Sequence, residues 1–137
     1  MVEEVLKKYP KDVNFAYKNY PLPATMHPQA MPAAKASVAA GKQGKFWEMH
    51  DIIFKNISAL GNDKYKQFAS EIGLDVARFE KDMESPEVQA IVNKDSSDGR
   101  AADVTGTPTF FVNGKRVSNR SVEGFSQMID EALKEKS

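Results

Sequence analysis

Gly106-Thr107-Pro108-Thr109-Phe110-Phe111-Val112-Asn113-Gly114 is the stretch from which the rest of this chain can be read. Proline has no N–H to give to a β-ladder, so Pro108 belongs at the entrance of a strand. Phe110, Phe111 and Val112 follow as a short, buried, β-prone strand. Asn113-Gly114 then forms a two-residue hairpin turn, because both residues accept positive φ. Lys115-Arg116-Val117 is the return strand, and Ser121 to Lys136 reads as a closing helix.

Working outward, the 137 residues suffice for one domain, or one domain with an insertion. Lys plus Arg and Asp plus Glu both number 19, which removes any global charge argument for nucleic acid or an acidic membrane surface. No run is long and apolar enough to span a bilayer. No basic stretch leads into an apolar core, so no signal peptide is expected. The chain has no cysteine, which excludes a disulfide, a thiolate nucleophile or a thiolate metal site within it.

Upstream of the hairpin the pattern is mostly helical. Val2 to Tyr9 places Val2, Val5 and Leu6 at helical spacing, with acids before bases, and Pro10 ends it. Val13, Phe15 and Tyr17 alternate with Asn14, Ala16 and Lys18, which predicts a strand over Val13–Tyr20. A helix from about Gln29 to Ala40 is entered through Pro28, with Gly41 as its C′ residue. Lys45 to Asn56 has helical spacing, and Asn62 caps a helix over Asp63–Ile72 that Gly73 closes. Asp75 starts a helix over Val76–Met83. Ser85-Pro86-Glu87 supplies a cap, a first-turn proline and an acid for a long helix to about Ala102. The order is helix, strand, four or five helices, strand, strand, helix. Three strands make a thin sheet, and a further strand is expected.

This order, with HPQAMPAAKA, GKFWEMHDIIF, GLDVARFEKDM and GRAADVTGTPTFFVNGKRV, resembles the DsbA-like branch of the thioredoxin superfamily over nearly the whole chain. The resemblance implies an α/β thioredoxin-like fold with an inserted all-helical domain. Residues 1–26 and 103–137 would form a partial thioredoxin layer, and 27–102 the helical insertion. In that family a central strand leads into Cys-x-x-Cys at the start of the first helix. Neither is in this sequence, and VEEVLKKYP matches the end of that helix. The expectation is a truncated relative of a protein thiol–disulfide oxidoreductase, itself redox-silent, from a family that is mostly exported or periplasmic.

The resemblance also implies a cis Thr107–Pro108 peptide at a substrate-binding loop, with an extended or unfolded polypeptide as partner. No catalytic residue and no cofactor is expected. His27 and His50 are too isolated to form a metal site. Phe46, Trp47, Met49 and Phe54 read as the core of the helical block rather than a substrate groove. Lys18 reads as a solvated strand-end lysine, and Asp95, Asp98, Arg100 and Asp103 as a solvated face. Two other readings stay open: a redox-inactive peptide-binding or dimerising module, in which a homodimer or strand swap closes the gap, and a glutathione-using isomerase or transferase relative.

Overall fold

Local capping chemistry marks where several of the helices begin. In the computed structural model, which describes residues 1–23 and 25–136, α1 spans Val2–Lys8, α2 Ala30–Gly41, α3 Phe46–Lys55, α4 Asn62–Glu71, α5 Val76–Met83, α6 Pro86–Ala101 and α7 Val122–Lys136. A two-stranded antiparallel sheet of β1 (Phe111–Val112) and β2 (Lys115–Arg116) precedes α7. Asp75 accepts a hydrogen bond from the Arg78 N–H at 3.1 Å and starts α5. Ser85 Oγ accepts from the Val88 N–H at 3.2 Å, with Pro86 in the first turn of α6. Each satisfies a backbone donor that the first helical turn leaves without a partner. Gly73, at φ 83, closes α4 as its position predicts.

Two cap assignments shift. Asn62 is the first residue of α4 and its side chain caps nothing; Gly61 occupies the cap position, and its carbonyl accepts from Lys64 and Tyr65. Gly41 is still helical, and the left-handed step falls at Gly44, φ 77, letting the Lys45 N–H return to the Ala40 carbonyl at 2.9 Å.

The chain folds as two units. One comprises Met1–Tyr17 together with the residues from Val104 on; the other is Lys18–Asp103. Residues 18–26, which the sequence reading assigns to the thioredoxin layer, group with the helices.

In the helical unit, α2 presents Ala36, Ala39 and Ala40, all fully buried. Such small side chains let neighbouring helices approach closely. Met49 and Ile53 of α3, Tyr65 and Phe68 of α4, and Phe79 and Met83 of α5 fill the space. Val38, Val88 and Val92 pack a second patch between α2 and α6. Burial also acts on Tyr65, whose hydroxyl donates to Gln29 Oε1 at 3.0 Å and whose pKa is pushed up to about 12. The folded state holds the neutral phenol, so this contribution is complete below the ordinary tyrosine pKa near 10 and is lost as pH climbs through 12. Tyr65→Phe is therefore expected to flatten the fall of the melting temperature between about pH 10 and 12 relative to wild type, an effect on the order of 2 kcal/mol at most. Parallel alkaline slopes for the two proteins in thermal melts would count against it.

The segment that opens this unit is held by α6. The Asn19 N–H and Nδ2 both donate to Asp95 Oδ2, at 3.0 and 2.9 Å. Gly99 lies one turn further on, where a Cβ would come within 2.7 Å of the Tyr20 ring, so only glycine admits the aromatic. Lys18 Nζ sits 3.6 Å from Asp98 and 3.9 Å from Asp95. Lys18 is solvated as expected, but the carboxylates differ. Asp98 is exposed, and the Lys94 hydrogen bond lowers its pKa. Asp95 is an anchor rather than part of a solvated face, because a carboxylate accepting two bonds from one buried asparagine is drawn in from water.

The other unit packs Val5 and Tyr9 of the first segment with Val117, Phe125 and Ile129. The Phe110 and Phe125 rings meet edge to face, with centroids 5.1 Å apart. The Tyr9 hydroxyl donates to Asp130 Oδ1 at 2.7 Å, and Lys8 Nζ donates to Ser126 Oγ at 3.0 Å. The bond to Asp130, with burial behind it, raises the Tyr9 pKa. These bonds join α1 to α7.

The strand expected over Val13–Tyr20 does not form. The alternation is visible in burial, since Val13 and Phe15 are half-buried while Asn14 and Ala16 are exposed. A strand requires a partner ladder as well as a pattern, and among the described residues the β1–β2 pair is the only ladder.

Candidate functional site

The hairpin turn sets the geometry of the site. Asn113 at φ 48 and Gly114 at φ 81 give the two positive φ values of a type I′ turn. That turn fixes the register: Val112 opposite Lys115, Phe111 opposite Arg116. The Val117 N–H donates to the Phe110 carbonyl at 2.9 Å. Alternation along an antiparallel ladder then makes Phe111 and Arg116 the pair without mutual bonds. The Phe111 main-chain groups consequently point to the outer edge of β1, where no other strand pairs among the described residues.

The expectation of a fully buried strand is corrected here. Phe110 turns inward onto Phe125 and Val112 is half-buried, but Phe111 is 40% exposed. Period-two geometry sends alternate side chains to opposite faces, and only one face of this hairpin meets the core. The Arg116 guanidinium lies 5.6 Å from the centre of the Phe111 ring.

The loop before β1 is tied from both ends. Thr109 Oγ1 donates to the Gly106 carbonyl at 2.6 Å, and Arg120 Nη1 donates to the Pro108 carbonyl at 3.0 Å. The Thr107–Pro108 peptide bond is cis. Thr107 and Pro108 are both exposed, and among the described residues neither the N–H nor the carbonyl of Thr107 has a hydrogen-bond partner. Arg120 is held in turn by the start of α7. Asn119 Oδ1 accepts from the Ser121 N–H at 3.1 Å and from Ser121 Oγ at 2.8 Å, and Ser121 Oγ accepts from the Gly124 N–H at 3.1 Å. Gly124 is required at that point, because a Cβ there would collide with the Asn119 carbonyl oxygen.

The other candidate residues fall elsewhere. His27 is exposed in its loop. His50 Nδ1 lies 3.2 Å from Asp51, and its ring centre is 4.5 Å from that of Phe54, tilted, and 5.2 Å from that of Trp47, edge to face. Of the aromatic set on α3, Met49 is in the core and Phe46 half-buried, whereas Trp47 and Phe54 are 43% and 58% exposed. The expectation that all four form the core is thus corrected: a single helix face takes Met49 and Ile53 inward, and 100° steps carry Trp47 and Phe54 outward. Arg100 and Asp103 are exposed. Among the described residues no group of three or more His, Cys, Asp or Glu side chains could hold a metal ion. Sequence reading missed Arg120, Asn19 and Gly124. The Ser121-x-x-Gly124 spacing at the start of α7 was the available signal for the cap.

A family model described as Thioredoxin matches residues 1–131. A solved thioredoxin-like oxidoreductase from Silicibacter pomeroyi superposes on this chain with a TM-score of 0.76 and 25% identity, over 97% of this chain and 75% of that one. A sodium/proton antiporter NhaA 1 from Mycolicibacterium gilvum is 37% identical over 117 residues, covering 84% of this chain and 19% of that protein. The antiporter NhaA from Herminiimonas arsenicoxydans is 43% identical over 91 residues, 66% of this chain and 15% of that protein. The chain therefore spans about a fifth or less of the curated relatives it matches. Among the described residues no helix is long and apolar enough to cross a membrane. With its family match over nearly the full length, its thioredoxin-like fold carrying a helical insertion, and its Thr-Pro loop leading into the Asn-Gly hairpin, the chain belongs to the thioredoxin superfamily, in the DsbA-like branch.

Proposed function

We propose that the edge running from Gly106 to Phe111 holds an extended polypeptide by main-chain pairing, and that this chain by itself performs no thiol–disulfide exchange. The observation that carries the reading is Thr107: the residue is exposed and its N–H and carbonyl are without partners among the described residues, in a loop that Thr109 and Arg120 hold in shape. A peptide laid along such an edge gains affinity from backbone hydrogen bonds, and a loop already ordered loses little entropy on binding.

The chemical half of the reading rests on the cysteine count. Disulfide exchange needs a thiolate attacking sulfur through a mixed disulfide. With no cysteine anywhere in the chain, no side chain can form that intermediate. Ser121 Oγ, a hydroxyl at the site's border, is engaged with Asn119 and Gly124 and has no base beside it in this hydrogen-bond set. The family relationship supports a polypeptide as the bound species. The antiporter names come with at least four-fifths of sequence that this chain does not match, and ion exchange forms no part of the reading.

Two measurements on the same sample test it. In a dithiol-oxidation assay with oxidised glutathione, the chain should add nothing to the uncatalysed rate. On titration with a reduced, unfolded polypeptide, amide resonances of Thr107, Thr109 and Phe111 should shift. Turnover above background would refute the first half, and unmoved resonances at those three residues the second.

The exposed ring of Phe111 on the open edge of β1 gives the rival occupant to be tested, a second copy that adds its own edge. Sedimentation at increasing concentration separates the two: a strict monomer leaves the polypeptide as occupant.

A further inference from the structure

The overall charge balance is zero, yet it is not even around the edge. Residues 104–121 contain Lys115, Arg116 and Arg120 and not one Asp or Glu. Lys115 is turned toward α7, with Nζ 3.6 Å from Glu135. The two arginines are turned toward the site: Arg116 lies over the Phe111 ring at 5.6 Å, and Arg120 donates to the Pro108 carbonyl at 3.0 Å. Building on the polypeptide-binding reading above, we propose that the edge selects extended segments carrying a carboxylate, placed on the added strand opposite Phe111.

Main-chain pairing alone does not discriminate among sequences, so the preference must come from side chains beside the ladder. Phe111 and Arg116 are cross-strand partners, and their side chains therefore share one face of the sheet. A residue of an added strand opposite Phe111 projects onto that same face. It meets an aromatic ring capped by a guanidinium. A carboxylate there gains a charged partner whose fork matches its two oxygens. A lysine there meets like charge. Arg120 extends the positive rim to the loop, since a guanidinium has five N–H donors and the Pro108 carbonyl engages one nitrogen. The occupant favoured by this distribution is an acidic polypeptide. A second copy of the chain would bring its own Arg116 and Arg120 against these, which disfavours self-pairing on this edge.

The test uses the full chain and three labelled peptides of sequence Thr-Val-X-Val-Thr within a β-prone frame, where X is Glu, Gln or Lys. Binding is read by fluorescence anisotropy, and its location by the amide shifts of Thr107 and Phe111. Expected is the order Glu, Gln, Lys, with about a tenfold span in Kd at low salt that shrinks as salt screens exposed charges. Arg116→Glu should invert the order. Lys64→Glu, an equal change of net charge on α4, should leave it intact. Equal affinities for the three peptides, with shifts at Thr107 and Phe111, overturn the charge preference while the edge reading stands. Absence of shifts at those residues for every peptide overturns both. Inversion by Lys64→Glu as well as by Arg116→Glu also overturns the proposal, since it assigns the preference to net charge rather than to this site.

Discussion

Replacing Phe79 by alanine is expected to destabilise the helical unit by about 3–5 kcal/mol, a large share of the ~5–15 kcal/mol that holds a typical domain folded. Phe79, on α5, is completely buried in the core cluster that also holds Ala39 of α2, Tyr65 and Phe68 of α4, and Met83. Removing the ring loses its transfer free energy and also leaves a cavity that the stiff, alanine-lined face of α2 cannot collapse to fill. Phe79→Leu keeps most of the volume and should cost much less, under about 1.5 kcal/mol. The chain supplies its own reporter. Its single tryptophan, Trp47, lies on α3 within this unit, so urea titration followed by tryptophan fluorescence reads the helical unit selectively. A midpoint for Phe79→Ala equal to wild type would show that the unit does not depend on this core.

At Gly124 two effects oppose each other, and their sizes decide the outcome. Alanine in a helix interior is favoured over glycine by about 1 kcal/mol. Against this, a Cβ at residue 124 collides with the Asn119 carbonyl oxygen and comes within 2.7 Å of the Asn119 side chain. Backbone cannot yield as a flexible side-chain tip can, so the clash should cost about 3 kcal/mol, the upper end for overpacking. The net expectation for Gly124→Ala is a loss of about 2 kcal/mol. The damage should not stay local. Asn119 orients Ser121, and Arg120 between them donates to the Pro108 carbonyl. Displacing the turn draws that guanidinium from the loop, and polypeptide binding should weaken with stability. Amide hydrogen exchange checks both: protection should fall in the first turn of α7 and at the Pro108 loop together. Increased helix stability with an unchanged loop would mean that the turn relaxes freely.

These two residues also mark how far the sequence could be read. Asn113-Gly114, Asp75 and Ser85-Pro86 were legible because their chemistry is local: a positive φ, or a side-chain oxygen within reach of the next helical turn. The order of elements and the family followed from such signals taken together. What was not legible depended on which surface meets which. The apolar run at Phe110-Phe111-Val112 does not say that only one face of the hairpin is covered, and so Phe111 was expected inside. Trp47 and Phe54 share helical spacing with Met49 and Ile53, but spacing defines faces without choosing the buried one. Asp95 looked solvated because its partner, Asn19, lies 76 residues away. Arg120 reaches Pro108 across 12 residues through a turn that no periodicity announces. At the site, Thr107 and Pro108 were readable as residue types, while the arginine that braces them was not.

The clasp between Asn19 and Asp95 has a consequence for how a helical block can live inside another fold. A guest segment interrupting a host behaves, for the host, as a loop. The entropic cost of closing that loop depends on how freely its ends wander, and grows only slowly with length, by about 0.6 kcal/mol per doubling when the segment is flexible. Here the guest holds its entry segment against its exit helix with two hydrogen bonds to one carboxylate oxygen, and Gly99 leaves room for the Tyr20 ring beside them. The ends are thereby gathered by the guest itself. The host needs to supply little of the closure, and the helical unit has the character of a cassette that brings its own fastening.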